Sequence, residues 1–288
     1  LKEENVDAKV RAFLGPDIDF EYEWVSLYTF QCRRMKKFVH GRVIFAGDAA
    51  HLVSPFGARG ANGGLQDVDN LAWKLALVMQ GRAPARLLAS YDDERIHGAD
   101  ENILNSARST DFMTPKSEAS LAFRDATLEL ARDFPFARRF VNPGRLSVPC
   151  TLDGSPLNTP DSDTFTPRQR PGSPCMDAPV SVDGRPAWFL RQLGDGFRGV
   201  YFATAGEQVD LAAQLPGEPV PVQLLVVRPA DAATAPGEVG DRLGLVAKHY
   251  DARPGTFYLV RPDQHVAARW RRFDAARVRA ALDRCLCR

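Results

Sequence analysis

The sequence predicts a mixed α/β fold in two parts joined by an irregular stretch, and three observations predict it. Residues 41–81 read as a strand, a glycine-rich loop and an amphipathic helix. Residues 180–288 carry several short apolar or β-branched runs and end in an amphipathic helix. Between them, prolines fall at 143, 149, 156, 160, 167, 171, 174 and 179 among Gly, Ser, Thr and Asp, a composition that supports neither regular helix nor strand. The expected organisation is a first part over 1–141, a surface-draped linker over 142–179 and a second unit over 180–288.

Taken in order, Val6, Val10, Phe13 and Leu14 fall at helical spacing, and Gly15-Pro16 stops a helix over Leu1 to Leu14. Phe20 to Phe30 is rich in aromatic and β-branched residues and reads as strand, its rings mostly sheet core. The basic run Arg33, Arg34, Lys36 and Lys37 reads as a solvated edge. Val43 to Ala46 is an apolar run suited to a strand buried on both faces. Leu65, Val68, Leu71, Ala72, Leu75 and Met79 predict the inward stripe of a helix, with Gly81 where a C-cap glycine belongs. Pro84 opens a further helix to about Ser109, on which Glu94 and Arg95 read as structural ion-pair partners and Asp92, Asp93, Asp100 and Glu101 as a solvated acidic face. Ser117 can cap the next helix, broken at Phe134-Pro135-Phe136. In the second unit Trp188 to Leu193 is a short apolar segment. Phe197 to Ala203 and Val222 to Val227 are strands, Gly255 to Val260 and His265 to Trp270 form a strand pair, and Phe273 to Leu286 is the closing helix.

The stretch from Gly47 to Asn62 carries the chemistry. A strand delivers Asp48 at its carboxyl end, where a carboxylate accepts charge-assisted hydrogen bonds from hydroxyl groups. Pro55, Gly57, Gly60, Gly63 and Gly64 allow close approach to the backbone. The helix that follows presents free N–H groups and a partial positive charge. The arrangement suits a ligand with a polyol at one end and an anionic group at the other.

Composition removes several function classes. A net charge of +1 offers no global field for nucleic acid or an acidic membrane surface, and the arginines at 261, 269, 271, 272, 277 and 279 read as a solvated or interface face. No apolar run reaches the ~18–20 residues of a membrane span. The five cysteines are scattered, without CxxC spacing, so neither a disulfide framework nor a metal site is expected, and a reducing cytoplasm is the simplest location. Cys285 and Cys287 form a CxC pair at the wrong end of their unit for thiol–disulfide exchange.

The strings GRVIFAGDAAH, PFGARGAN and DVDNLAWKL, in that order, resemble the second flavin motif of FAD-dependent aromatic-ring hydroxylases, the flavoprotein monooxygenases related to 4-hydroxybenzoate and phenol hydroxylases. YDDERIHGADENI resembles a helix of the same family, and YDARPGTFYLVRPDQHVAARW its phenol-hydroxylase-type C-terminal domain. The resemblance implies that Gly47 and Asp48 hold the ribityl chain of FAD. It places Pro55 and Gly57 along the isoalloxazine face and turns the N–H groups of Gly60, Ala61 and Asn62 to its pyrimidine oxygen. It implies hydroxylation of an aromatic or phenolic small molecule with NAD(P)H and O2. It also implies a thioredoxin-like, redox-inactive second unit that favours a homodimer. No side chain is assigned as a catalytic acid or base, and His51 reads as a loop anchor.

A complete hydroxylase of this kind begins with a strand, a GxGxxG turn and a helix for the ADP half of FAD. No GxGxxG string is expected anywhere in the chain, so the first part reads as the C-terminal part of an FAD domain. Two alternatives stand beside the enzyme: a non-catalytic remnant acting as an assembly or dimerisation module, and half of a split flavoenzyme whose partner supplies an N-terminal half.

Overall fold

A computed structural model describes residues 3–141, 149–229 and 235–288. The chain divides into two compact units, Leu1–Gln31 and Cys32–Arg288. In the first, helix α1 (Glu3–Leu14) ends as the sequence predicts, the Gly15 N–H closing the last turn on Arg11. The Arg11 guanidinium lies 5.1 Å from the Phe20 ring, which meets Tyr22 edge-on at 5.3 Å. The expected strand over Phe20 to Phe30 does not form. A strand needs a neighbour for its backbone groups, and none of the described strands pairs with this segment.

The second unit opens with two short ladders. Strand β1 (Arg33–Arg34) pairs with β4 (His51–Leu52), and β2 (Val39–His40) pairs with β3 (Val43–Ile44), both antiparallel. The apolar run at Val43 is therefore not buried on both faces. It supplies two residues to a hairpin, and Val43 is 56% exposed, because β2 is the only strand beside it among the described residues. Asp92 is not simply solvated either: its Oδ1 accepts the N–H groups of Phe38 and Val39 at 2.5 and 3.2 Å. Arg34 likewise leaves the solvated edge and pairs through two hydrogen bonds with Asp100.

Helices α2 (Gly60–Met79) and α3 (Ala89–Met113) follow, then α4 (Glu118–Asp133), capped by Ser117 as expected, and α5 (Pro135–Val141). The face that α2 buries is opposite to the expected one. Asp67, Asn70, Trp73, Lys74 and Leu77 are buried, whereas Leu65, Val68 and Met79 are 69%, 57% and 79% exposed. The helix carries two stripes at the same spacing, and the polar one finds buried partners.

The remaining elements form one seven-stranded sheet. They are β5 (Pro179–Val182), β6 (Arg185–Trp188), α6 (Leu190–Leu193), β7 (Phe197–Phe202), β8 (Val222–Pro229), β9 (Glu238–Asp241), α7 (Leu245–His249), β10 (Phe257–Val260), β11 (Val266–Trp270) and α8 (Ala275–Cys285). Strand order is β11-β10-β7-β8-β9-β5-β6, with β7, β8 and β9 mutually parallel and the other pairings antiparallel. Period-2 alternation splits its residues between two cores. Phe197, Val222, Phe257 and Leu259 face α8 (Val278, Leu282) together with Trp73 and Leu77 of α2. Val200, Phe202, Leu225, Tyr258 and Val260 face Phe189 and Tyr250. Of the Pro-rich stretch, 142–148 lies outside the described residues. Its later part runs along β11, tied by backbone bonds such as Thr159 N–H to the Ala267 carbonyl and Gly172 N–H to that of Val266.

The spacing GxGxxG does occur once, at Gly194–Gly199 (GDGFRG), which corrects the expectation that it is absent. It joins the short helix α6 to strand β7, whereas a dinucleotide fingerprint leads from a strand into a helix. Gly199 serves packing instead: a Cβ there would lie 2.6 Å from Phe257 Cζ.

Two of the arginines read as a solvated face are buried. Arg269 is 2% exposed and pairs with Asp161, and Arg261 is 1% exposed. The Arg261 guanidinium donates to Glu94 at 2.6 and 2.9 Å and to Asp263 at 3.0 and 2.5 Å. Lys74 Nζ donates to Glu94 at 2.6 Å and to Asn70 at 2.8 Å. Ser155 Oγ donates to Glu94 at 2.5 Å, and Asn70 Nδ2 to Glu94 and Asp263 at 2.7 and 3.0 Å. Two carboxylates thus balance two cations, with the Trp73 ring 5.4 Å from the Arg261 guanidinium. Removing one member leaves an uncompensated buried charge, so Arg261→Ala is expected to cost about 3–5 kcal/mol in urea unfolding. Arg272→Ala, at an exposed position of the same arginine-rich segment, should stay within about 0.5 kcal/mol.

Candidate functional site

The candidate site is built where the turn after β3 meets the first turn of α2. Gly47 to Ala49 form a single 3₁₀ turn rather than the end of a long strand, and Asp48 is exposed on it. Gly47 has φ of 57°, a left-handed conformation that a side chain disfavours. A Cβ placed on Gly64 would sit 3.4 Å from the Gly47 Cα, so this turn and the start of α2 are in van der Waals contact. The structure therefore brings Gly47 and Asp48 beside the segment holding Gly60, Ala61 and Asn62.

Between them, Pro55 to Gly57 make a loop fastened at both ends. The Pro55 carbonyl accepts the Ala58 N–H, and Gly57 turns the chain at φ of 92°. Ser54 Oγ shares hydrogen bonds with Ser106 Oγ at 2.7 Å and Thr110 Oγ1 at 2.9 Å, and Ser106 Oγ also reaches the Ser54 and Phe56 carbonyls. Helix α3 thereby holds the loop as a shelf. Helix α2 starts without a side-chain cap. Its first hydrogen-bonded amide in the new turn is Gly63, which donates to the Arg59 carbonyl. The N–H groups of Gly60, Ala61 and Asn62 meet no acceptor among the described residues, as the geometry of a helix start dictates. The Asn62 side chain folds back on the Ala58 carbonyl at 2.7 Å.

Beneath this surface lies a buried polar trio that sequence reasoning identified only in part. Asp67 accepts from the Gly47 N–H at 2.9 Å, from Arg95 Nε at 2.6 Å, and lies 2.6 Å from His51 Nε2. His51 is the loop anchor that the sequence suggested, and Arg95 is an ion-pair partner. Asp67 was hidden behind the apolar pattern of its helix, although Asp67, Asn70 and Lys74 share the spacing of one helical face. Burial alone would push the Asp67 carboxyl up. The His51 hydrogen bond and the Arg95 charge outweigh it and leave the carboxyl below its ordinary range. In the deeper cluster, burial likewise opposes ionisation of Glu94 and Asp263, and the Arg261 charge, joined by Lys74 at Glu94, holds both low. Arg59 makes a long contact to Asn102 at 3.4 Å.

Residues 1–106 match the family described as FAD binding domain. The 3-(3-hydroxy-phenyl)propionate/3-hydroxycinnamic acid hydroxylase 2 of Burkholderia vietnamiensis strain G4 is 30% identical over 293 residues, covering 95% of this chain and 52% of that protein. The uncharacterized aromatic compound monooxygenase YhjG of Bacillus subtilis strain 168 is 39% identical over 142 residues, 49% of this chain and 28% of that protein. The crystal structure of the flavin-dependent monooxygenase PieE in complex with FAD and substrate superposes with a TM-score of 0.75 at 23% identity, over 99% of this chain and 55% of that one. The fold is thus an FAD-binding fold of mixed α/β content. The chain is related to FAD-dependent aromatic hydroxylases, enzymes that it resembles over nearly its whole length while spanning about half of theirs. No described helix is long and apolar enough to cross a membrane.

The depressed carboxylates fix the sign of a pH effect. Asp67, Glu94 and Asp263 have folded pKa values below their unfolded ones, so their contribution is fully present above the ordinary carboxylate range, near pH 4. It is lost as pH falls through the depressed values. The urea midpoint is therefore expected to be steady between pH 6 and 7 and to fall steeply below pH 4, and Asp67→Asn should flatten part of that decline.

Proposed function

We propose that the chain supplies the isoalloxazine- and ribityl-binding part of an FAD-dependent monooxygenase that hydroxylates an aromatic or phenolic small molecule using NAD(P)H and O2. The observation that carries this reading is the contact between the Asp48 turn and the uncapped start of α2, inside the segment that matches an FAD binding domain. The residues fit the cofactor's chemistry. Exposed Asp48 suits the ribityl hydroxyls, the Pro55–Gly57 shelf suits a flat ring, and the N–H groups of Gly60, Ala61 and Asn62 suit a pyrimidine oxygen. Bound FAD would supply the activation of O2. The protein's share is to position the ring on the shelf, stabilise negative charge at the helix start and hold the Asp48 turn through Asp67.

Within the same proposal, residues 180–288 form a thioredoxin-like domain without redox function. The parallel β7–β8 pair, the antiparallel β10–β11 pair and the closing α8 on one sheet support it. Burial pushes the Cys285 thiol up to about 12, which leaves it without thiolate character. A second reading, half of a split flavoenzyme, draws on the exposed apolar stripe of Leu65, Val68 and Met79, a surface suited to further polypeptide.

The test is the visible spectrum of the purified chain titrated with FAD. A shifted, protein-bound flavin spectrum is expected. Asp48→Ala should raise the Kd at least ~10-fold, the worth of a charge-assisted hydrogen bond, with an unchanged far-ultraviolet dichroism spectrum. An Asp48→Ala variant that binds FAD as tightly as the parent would remove the proposed role of this residue.

A further inference from the structure

We infer that the cavity beside the Pro55–Gly57 shelf is a binding site for an anionic aromatic compound, an aromatic carboxylic acid, whose carboxylate is held by Arg108 and Arg139. The inference rests on the flavin reading for its functional meaning, since Phe56 and Gly57 form the shelf and also line this cavity.

The cavity has a volume of about 940 Å³, within the upper range of small-molecule sites. Its walls come from one face of α3 and from α4 and α5. On α3, Arg108 and Phe112 stand one turn apart and so share a face. Phe123 of α4 and Phe140 of α5 add two more rings, both more than 60% exposed, giving with Phe56 four aromatic side chains around one space. Such a lining favours a flat aromatic ring, through offset or edge-on contacts. The charge is one-sided. The lining carboxylate, Asp111, is paired with Lys116 at 3.3 Å, whereas neither Arg108 nor Arg139 has a carboxylate partner among the described residues. Three arginines line the space: Arg59 reaches Asn102, and the guanidinium groups of Arg108 and Arg139 beside the aromatic rings match the two parts of an aromatic acid, because a guanidinium presents paired N–H donors to a carboxylate. The hydroxyl network of Ser54, Ser106 and Thr110 holds the shelf to α3, so the cavity wall and the shelf keep a fixed separation.

The test measures 3-(3-hydroxyphenyl)propionate and its uncharged methyl ester by equilibrium dialysis against the full chain, with and without FAD. Flavin binding is read separately from the visible spectrum. The expected result is at least ~10-fold tighter binding of the acid than of the ester, with the difference erased in Arg108→Gln/Arg139→Gln and partly kept in the lysine counterparts. Equal affinity for acid and ester, or a preference that survives both glutamine substitutions, overturns the inference while leaving the flavin reading intact. Discrimination retained in a chain that binds no FAD supports the site and overturns the flavin reading instead. The arginines are surface-exposed, and unchanged dichroism confirms that the variants are folded.

Discussion

The Glu94 carboxylate is the point on which the second unit depends. It is fully buried and receives hydrogen bonds from Lys74 and Asn70 of α2, from Ser155 and from Arg261, so three separate segments converge on one side chain. A buried ion cluster of this kind adds little net stability over a well-packed apolar core, because desolvation offsets most of the Coulombic gain. What it adds is uniqueness. Each donor has one acceptable position, and a shift in any of the three segments strands a charge in a dry interior.

Helix α2 transmits that fixity. Its last turns, through Trp73 and Leu77, are embedded in the apolar layer beneath the sheet, its middle is bolted by Asn70 and Lys74, and its start carries the glycine cradle. Asp67 ties the Gly47 turn to the same rod, and Ser106 and Thr110 tie the Pro55 shelf to α3. The cradle is therefore irregular in backbone yet held by regular elements on both sides, the arrangement expected where a loop must keep a fixed geometry for a ligand.

Much of this was legible in the sequence where local chemistry decides the outcome. Ser117 capping, the Gly81 stop, the strand pair around Arg261 to Gln264 and the closing helix follow from short-range signals and appear as read. Misreadings arise where distant partners decide. The inward face of α2 was assigned to its leucines, because nothing local says that Asp67 will meet Arg95 or that Asn70 will meet Asp263, 193 residues away. Arg261 looked solvated for the same reason. The segment from Phe20 to Phe30 has strand composition without a described neighbour to pair with. The glycine loop was readable because its chemistry lies in consecutive residues, whereas the cavity wall on α3 to α5 has no such local motif.

The separation of Arg261 from Glu94 along the chain also bears on the order of synthesis. They are 167 residues apart, and chains emerge from the ribosome at about 5–20 residues per second. For many seconds Lys74 and Glu94 exist without the guanidinium that completes their charge balance. The nascent chain can form α2 and α3 as helices, but it cannot lock them together in their final dry contact. The middle of α2, at Lys74, thus reaches its finished, charge-balanced contact only after Arg261 has been made, whereas the ties of Asp67 to Gly47 and of Ser106 to Ser54 need no residue beyond α3.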